Sequence, residues 1–486
     1  MKKEIKILLM NPALPDTELF TRSSEGTASR LPPLGLGYLA AFLERHGYEV
    51  RIWDGFYEKG GITEIIQIGN EYDVFGIHVL TSFARGAYKF AEKLKKRYPE
   101  KTIVMGGCHV SALPLEAMER DYIDYVIVGE GERSFLELCD ALEKRDQTAL
   151  VHDLVSIRGV YYKNRIGVKP TKRIFFNGMR PLIEDLDEIP PPARHLFNWS
   201  LYKSSEARKS STRKDLSILN SRGCPFQCSF CSKDVTGHHV RYFSIPRVIE
   251  EIKHMINRYG IEEISIWDET FTLQRNRVVE FCKALEKEQL KITWSCSTRV
   301  DKVDLELLKY MKDHGCNLIA YGIESGSDTI LKNTMKGVTK EIIRRAIAMT
   351  KRAKISIRGY FMIGLWGDTM ETIRETIKFA RELDPDIATF SMMVPLPNTL
   401  DYTRACKQSN FTREYWTKRN FPEFNFLNDP IFIPETMSKK ELIRLHKLAY
   451  RAFYFQPKIL LKQLMSIRSV KGIRRLINGA RTILRL

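Results

Sequence analysis

The sequence predicts an α/β protein in which two parallel sheets follow one another and a helical, basic region ends the chain. Short apolar runs of strand length alternate with stretches that carry apolar residues at three- and four-residue spacing. Uninterrupted apolar strands between amphipathic helices indicate parallel sheets with helices on both faces. The 486 residues suffice for about three domains, and the composition, 43% apolar and 28% charged, is that of a folded protein.

Five candidate strands occupy the first part of the chain and predict a doubly wound five-stranded sheet for residues 1–145. Stretches with helical spacing lie between the strands; two of them, 34–47 and 84–99, end in Gly or Pro. Residues 146–213 lose this alternation, contain the run IPPPARHLFNWS, and are expected to link two domains. The five strands are residues 5–12, 49–55, 74–80, 102–107 and 125–132.

Polar and glycine residues collect where these strands end. In a doubly wound sheet the carboxyl ends of the strands border the ligand crevice, so these residues are candidates for a binding site. The alternative is that the glycines only turn the chain. A nucleotide site is disfavoured because no GxGxxG motif follows the first strand. The candidates are Asn11, Asp54, His78, Ser82, Gly106, Gly107, His109, Gly129 and Glu130.

Cys224, Cys228 and Cys231 form a CxxxCxxC motif after a further candidate strand at residues 216–220. Three thiolates this close in sequence can bind one metal centre. Zinc fits poorly, because structural zinc sites usually take four protein ligands and the nearest histidines do not have finger spacing. An iron–sulfur cube held by three thiolates keeps one iron open. That open iron can bind a small molecule through its amino and carboxylate groups.

The other six cysteines lack such spacing and are predicted to be buried, reduced thiols. An odd total of nine without regular spacing is not typical of a secreted, disulfide-linked protein, so a cytoplasmic location is expected. Glu4 interrupts the first apolar run, and no run approaches the roughly 18 apolar residues that span a bilayer. The six are Cys108, Cys139, Cys282, Cys296, Cys316 and Cys406.

A second series of strands follows the cysteines. Together with the strand that precedes the cysteines it makes six, which predicts an open (β/α)6 barrel over residues 214–398. Chemistry in such folds is expected where the strands end. The five additional strands are residues 262–271, 291–300, 316–326, 354–364 and 386–397.

Three segments of the first domain, PPLGLGYLAAFLERHGYEV, GGCHV and YVIVGEGERSFLEL, resemble the N-terminal domain of cobalamin-binding radical SAM proteins. The cysteine motif, with Phe230 before its third cysteine, resembles the radical SAM superfamily, and the likeness covers residues 1–398. It implies a corrinoid over the carboxyl edge of the first sheet. The DxHxxG motif is missing, so His78 and His109 are expected to line the pocket, with ligation of cobalt as the alternative.

The resemblance also implies contacts to S-adenosylmethionine. Asp268 and Glu269 correspond to the family's contacts with the amino group of the cofactor, where a carboxylate suits an ammonium. Ser297 and Arg299 correspond to its contacts with the carboxylate. Taken alone, the two acids could equally be a helix N-cap and a first-turn acid.

Further along the chain, the resemblance assigns Glu324 to the ribose hydroxyls, with Gly322 and Ser325 keeping the backbone close. Arg358 lies in the segment IRGYFMIGLWG, which resembles the family motif that packs beside adenine. For Glu324 the alternative is a solvated loop residue.

The implied activity is that of a cobalamin-dependent C-methyltransferase. A [4Fe–4S] cluster on the three cysteines, fed by flavodoxin or ferredoxin, would cleave S-adenosylmethionine to a 5′-deoxyadenosyl radical. That radical would take a hydrogen atom from an unactivated carbon, which would then accept a methyl group from methylcobalamin. The expected substrate is apolar, such as a lipid, hopanoid or tetrapyrrole. The alternatives are a cyclase or oxidase of the tetrapyrrole-cyclase type, a protein that leaves the corrinoid domain empty, and a tRNA-modifying protein.

Residues 399–486 are predicted to be helical and basic. Residues 457–486 hold eight Lys or Arg and no acid, in a chain of net charge +18. Apolar residues between them predict an amphipathic helix, which lies in an anionic membrane interface or docks on the barrel. RNA is disfavoured because this segment lacks aromatic residues for base stacking. Upstream aromatics form either core or a hydrophobic cavity: Tyr402, Phe411, Tyr415, Trp416, Phe421, Phe424 and Phe426.

Overall fold

Two parallel sheets form the centre of the protein, as the sequence predicts. The structure is a computed structural model, and each sheet has its own hydrophobic core. The structure describes residues 3–12, 31–58, 61–144, 146–163, 173–202, 215–408, 411, 415–418, 430–459 and 461.

The first sheet contains the five predicted parallel strands, in the order β2-β1-β3-β4-β5. The prediction of only five strands is wrong, because β6 and β7 extend the sheet antiparallel beyond β5. Stacking of Tyr161 on Phe176, with ring centroids 4.1 Å apart, stabilises this extension. The strands are β1 Lys6–Asn11, β2 Glu49–Asp54, β3 Val74–His78, β4 Thr102–Gly106, β5 Tyr125–Ile127, β6 Val160–Lys163 and β7 Ile174–Phe176.

Helices cover both faces of this sheet, and the two that the sequence predicts lie within a few residues of the expected positions. The helices are α1 Leu34–Arg45, α2 Gly61–Ile68, α3 Ala84–Arg97, α4 Cys108–Ala112, α5 Pro114–Met118, α6 Glu132–Glu143 and α7 Gln147–Leu154.

The second sheet has six parallel strands in the order β15-β14-β13-β12-β11-β8, which confirms the six strands predicted for the open (β/α)6 barrel. We call this domain the half-barrel. A short antiparallel pair, β9 with β10, flanks the cysteine loop. The strands are β8 Asp215–Ile218, β9 Ser221–Arg222, β10 Arg241–Tyr242, β11 Glu263–Ile266, β12 Thr293–Thr298, β13 Cys316–Glu324, β14 Ser356–Ile363 and β15 Ile387–Met392. The helices are α8 Ile245–Tyr259, α9 Arg275–Lys287, α10 Leu305–Asp313, α11 Asp328–Asn333, α12 Lys340–Arg352 and α13 Met370–Leu383.

The segment 173–202, expected as a linker, is packed between the two domains. Ile183 and Leu186 belong to the core of the second sheet, whereas Ala193 and Phe197 belong to a core of the first. Because its apolar side chains are divided between both cores, the segment joins the domains into one packed unit.

The C-terminal region adds α14 Leu400–Ala405, α15 Tyr415–Lys418 and α16 Lys439–Tyr454, all within the region 399–486 that the sequence predicts to be helical. The described aromatic side chains Tyr402, Phe411 and Trp416 are buried, so they are core. The Tyr415 side chain, the three later phenylalanines and residues 462–486 lie outside the described residues. Within the described residues, no helix is long and apolar enough to cross a membrane.

Helix α16 covers the open edge of the second sheet through side-chain hydrogen bonds. The Tyr454 hydroxyl donates to the Ala388 carbonyl at 2.7 Å and accepts from its N–H at 3.2 Å. The Tyr450 hydroxyl contacts the N–H and carbonyl of Phe390 in the same way, and His446 Nε2 lies 2.9 Å from that carbonyl. These contacts satisfy backbone groups that an edge strand otherwise leaves unpaired.

We expect Tyr454→Phe to lower the free energy of unfolding by about 1 kcal/mol, because it leaves an edge N–H and carbonyl without their partner. Chemical denaturation measures the change. Tyr310→Phe is the matched control, since the Tyr310 hydroxyl makes no hydrogen bond within the described residues. Equal effects of the two substitutions would contradict the capping role.

Candidate active site

The three cysteines of the CxxxCxxC motif lie in one loop between β9 and β10. Cys224 is buried and Cys228 and Cys231 are partly buried, and all three thiols are free. The Cys231 N–H donates to the Cys228 carbonyl at 3.0 Å. In the part of the chain that the structure describes, no three His, Cys, Asp or Glu side chains surround a single metal ion. An iron–sulfur cube can bond each of three thiolates to a different iron, and the three free thiols of this loop supply that number.

Cationic side chains surround these thiols. Arg299 Nη1 lies 3.9 Å from Cys228 Sγ. Burial raises the pKa of the Cys228 thiol, while the charges of Lys336 and Arg299 oppose that rise. Burial alone would lower the pKa of Lys233, but the thiols of Cys231 and Cys224 raise it above its usual value. The charges of Lys336 and Arg299 thus offset part of the effect of burial on Cys228 and favour its thiolate, the form that binds iron.

The other six cysteines behave largely as predicted. Cys139, Cys282, Cys296 and Cys316 are buried, which confirms the prediction for four of them. Cys108 and Cys406 are only partly buried.

Asp268 holds the strand end that leads into the cysteine loop. Its carboxylate accepts hydrogen bonds from the backbone N–H of Asn220 and Ser221, and from the side chains of the same two residues, at 2.7 to 3.1 Å. Burial raises the pKa of Asp268 to about 6. The next residue, Glu269, is exposed and accepts a hydrogen bond from Thr236. Asp268 thus positions the loop, a role that the sequence did not reveal.

Arg299 links β12 to the cysteine loop. It donates to Asp301 and to the carbonyl of Lys336, both at 2.8 Å. Its guanidinium also stacks on Phe226, 3.7 Å from the ring centroid. These contacts fix the side chain beside Cys228, while Ser297 is half-buried within the same strand.

Glu324 ends β13 in a left-handed backbone conformation, with φ of 65°. It is buried and accepts a hydrogen bond from Lys336 Nζ at 2.9 Å. A Cβ atom at Gly322 would lie 2.5 Å from the Glu324 carboxylate, so a side chain there would displace that carboxylate. Ser325 is buried and its hydroxyl lies 3.1 Å from that of Thr376. Lys336 is a site residue that sequence reasoning missed, since a lone lysine in a loop carries no motif signal.

The face of the second sheet that points away from the helices is lined by polar and aromatic side chains. Alternate residues of each strand pack into the helix-covered core, and their neighbours face the other way. Ser265 and Ser295 share this open face, 3.4 Å apart. Trp267 and Tyr360 follow the same alternation and are 49% and 38% exposed. Arg358 lies two residues before Tyr360, and its Nε is buried without a hydrogen-bond partner among the described residues.

The strand order of the first sheet changes direction between β1 and β3, and a ligand crevice is expected at the carboxyl edge of the sheet at this point. His78 ends β3 there, and its buried Nδ1 has no partner among the described residues. Burial lowers the pKa of His78 to about 4, so the imidazole is neutral at physiological pH. A Cβ at Gly107 would lie 2.6 Å from this ring, so only glycine permits the contact.

The remaining crevice residues divide into open positions and internally paired ones. A Cβ at Gly106 or Gly129 would meet no atom closer than 3.7 Å, so neither position is crowded, and Ser82 is half-buried. Asn11 instead donates to Asp54 at 3.0 Å, and Tyr202 donates to the same carboxylate at 3.0 Å. The unpaired imidazole and the open glycine positions fit a bulky polar cofactor.

Two crevice predictions need correction, and the first is His109. Its side chain is fully buried, and its Nε2 lies 3.0 Å from the Glu116 carboxylate, with the ring edge against Tyr88. A fully enclosed ring cannot line an open pocket, so His109 is part of the packing of the domain.

The second correction is Glu130, which binds across the domain boundary. Its carboxylate accepts hydrogen bonds from Arg222 at 3.0 Å and Arg241 at 2.8 Å, and from the Ile183 N–H at 2.9 Å. Arg222 also donates to Glu132 at 2.7 Å. All four charged side chains are buried. We call Glu130, Glu132, Arg222 and Arg241 the interdomain ion network.

This network acts directly on the cysteine loop. Arg222 precedes Cys224 by two residues, and Gly223 between them has φ of 96°. A Cβ at Gly223 would lie 2.2 Å from the His239 carbonyl, so only glycine fits there. Arg222, which the first domain holds, is thus separated from the first cysteine by a single residue.

The fold and the site together define a class of protein. Its first domain is a doubly wound sheet with a switch point at its carboxyl edge, and its second domain is a half-barrel with three free thiols at the carboxyl edge. The radical SAM superfamily model matches residues 218–380, and the B12 binding domain model matches residues 27–139. An uncharacterized methyltransferase of Pyrococcus horikoshii is 34% identical, over 97% of this chain and 99% of the relative. The chain therefore belongs to the cobalamin-binding branch of the radical SAM superfamily.

Two further proteins are similar over most of this chain. The anaerobic magnesium-protoporphyrin IX monomethyl ester cyclase of Rubrivivax gelatinosus is 29% identical, over 88% of this chain and 74% of the cyclase. The structure of the radical S-adenosylmethionine methyltransferase TsrM from Kitasatospora setae, with cobalamin and a [4Fe–4S] cluster bound, superposes with a TM-score of 0.64. It is 19% identical and covers 92% of this chain and 85% of TsrM, so the two share a fold.

We expect Glu132→Gln to lower the free energy of unfolding by about 3 kcal/mol, because it leaves the buried Arg222 charge without one of its two anions. Glu188→Gln is the control, since Glu188 pairs with Arg133 on the exposed surface and should lose less than about 1 kcal/mol. Denaturant titration compares the two. A smaller loss for Glu132→Gln than for Glu188→Gln would refute the importance of the network.

We expect His78 to make the folded protein sensitive to mild acid. Its folded pKa lies below the unfolded value of 6.5, so the unfolded chain binds the extra proton. Stability from this group is full above pH 6.5 and declines, by up to about 3 kcal/mol, as the pH falls towards 4. Relative to wild type, His78→Gln should flatten the pH dependence of unfolding, whereas the same change at exposed His152 should leave it unaltered.

Proposed function

We propose that this protein is a cobalamin-dependent radical S-adenosylmethionine C-methyltransferase that acts at an unactivated carbon of an apolar substrate. The observation that carries the proposal is the fixed cysteine loop at the boundary of the two domains. The interdomain ion network holds this loop from the side of the first domain, and Asp268 holds it from the second. Two cofactor regions at a constant separation suit a reaction that uses both cofactors on one substrate.

In this proposal Cys224, Cys228 and Cys231 hold a [4Fe–4S] cluster. When bound, the cluster and S-adenosylmethionine supply radical chemistry and cobalamin supplies the methyl group. Arg299 and Lys336 hold positive charge beside Cys228, which favours the thiolate that binds iron. A flavodoxin or ferredoxin is the proposed electron donor.

The remaining cofactor contacts are proposed from the positions of the side chains. S-adenosylmethionine would lie along the carboxyl edge of the second sheet, and the corrinoid would lie over the crevice that His78, Ser82, Gly106, Gly107 and Gly129 border. Asp268 would act on the first cofactor indirectly, by positioning the loop. The residues proposed to contact S-adenosylmethionine are Glu269, Ser297, Arg299, Gly322, Glu324, Ser325 and Arg358.

An apolar substrate is proposed because Trp267 and Tyr360 present large, exposed rings on the open face of the second sheet. Aromatic surface of this kind gains most from covering a flat or aliphatic molecule. Tetrapyrroles, lipids and hopanoids all present apolar surface of this kind.

Ring closure without methyl transfer is the second candidate, favoured by the likeness to the magnesium-protoporphyrin cyclase. The two candidates differ in the fate of the methyl group. Transfer of label from methyl-labelled S-adenosylmethionine to the bound corrinoid would support methyl transfer. Appearance of the label in methionine alone under reducing, anaerobic conditions, with none in the corrinoid or in a product, would favour the cyclase.

We expect Cys228→Ala to abolish formation of 5′-deoxyadenosine after anaerobic reconstitution with iron, sulfide and reductant, because the cluster loses one of three thiolate ligands. Cys282→Ala is the control, since this buried thiol lies in α9, outside the loop. It should retain both iron and product formation. Product formation by Cys228→Ala at the wild-type rate would remove the basis of the proposed function.

A further inference from the structure

Helix α16 carries a stripe of cationic and apolar side chains on the face opposite its packed side. Leu442, Leu445 and Phe453 are buried against the second domain. On the other face lie Arg444, Leu448, Arg451 and Phe455, spaced at four, three and four residues. We call these four residues the α16 stripe.

The stripe places two exposed apolar side chains beside its two arginines. Leu448 is 44% exposed and Phe455 38% exposed, and Leu461, beyond the end of the helix, is 59% exposed. Single exposed apolar residues are ordinary, but a helix face that alternates cations with large apolar side chains has the composition of a contact surface.

The charges of the stripe are available for a partner. Within the described ranges, neither Arg444 nor Arg451 forms an ion pair, whereas nearby Lys458 pairs with Asp384 at 3.4 Å. Glu441, one turn before Arg444, accepts hydrogen bonds from Ser438 as a helix cap. The sequence from 442 to 486 contains eleven Lys or Arg and no acid, a large share of the net charge of +18.

We propose that the α16 stripe is a docking surface for an anionic lipid bilayer. Arginine side chains bind lipid phosphates, and leucine and phenylalanine between them enter the interface to a shallow depth. Nucleic acid fits less well, because its phosphates would pair with the arginines but would leave Leu448 and Leu461 without an apolar contact. The helix is anchored on its other face, so the contact is peripheral. This inference goes beyond the proposed function and does not depend on it.

The test is flotation of the full-length protein with vesicles. We expect binding to mixed phosphatidylglycerol–phosphatidylcholine vesicles and little binding to pure phosphatidylcholine. Arg444→Glu/Arg451→Glu should weaken binding at least about tenfold, since each cation near an anionic surface contributes about fivefold. Lys89→Glu/Lys93→Glu, the same charge change on exposed positions of α3, should change it less than about twofold.

The apolar part of the stripe is tested separately. Leu448→Ser/Phe455→Ser should weaken vesicle binding about tenfold and leave a residual salt-dependent attraction. Its control is Leu115→Ser/Val155→Ser, which removes comparably exposed apolar residues from the first domain. Circular dichroism of each variant establishes that the fold is retained.

Three results would overturn the proposal. The first is no binding of wild type to anionic vesicles. The second is an equal loss of vesicle binding in the stripe variants and their controls, or a loss of vesicle binding only when residues 462–486 are deleted. The third is tighter binding to tRNA than to vesicles, weakened by the arginine substitutions and unaffected by Leu448→Ser/Phe455→Ser, which would assign the surface to nucleic acid.

Discussion

The buried ion network between Arg222, Arg241, Glu130 and Glu132 is the constraint on which the arrangement of the two domains depends. Taking four charges out of water is costly, and the cost is offset only when every charge meets its partners at short range. Only a narrow range of relative positions of the two domains keeps all four side chains paired. Arg222 lies two residues before Cys224, the first cysteine of the loop. The arrangement of the four charged side chains therefore also restricts where the cysteine loop lies relative to the first domain.

Local patterns in the sequence predicted the strands and the cysteine motif, because both depend on spacing within a few residues. The eleven predicted parallel strands appear in the structure, and the six of the second sheet pair in the expected succession. The antiparallel strands β6 and β7 were missed, since their four and three residues lie in a stretch that lacks the regular strand–helix alternation of the rest of the domain.

Side-chain partners distant in sequence could not be predicted. Glu130 follows a strand end and carries a charge, which is what a ligand-binding residue looks like in sequence, yet its partner lies 92 residues further on. Asp268 and Glu324 were recognised as important, but their hydrogen bonds to Asn220, Ser221 and Lys336 were not. A charged residue at a strand end can either contact a ligand or position a loop that contacts it. The two roles can be distinguished only when the three-dimensional neighbours of the residue are known.

The side-chain cap that α16 provides for β15 differs in kind from the pairing elsewhere in the second sheet. The other neighbouring strands of this sheet are joined by backbone ladders, whereas this seam combines two phenolic hydroxyls and an imidazole with the buried side chains of Leu442, Leu445 and Phe453. Lifting the helix away would expose those apolar side chains as well as break the hydrogen bonds, so α16 is a fixed wall of the second domain. The outermost strand is thereby withheld from adding a strand of another molecule to the sheet.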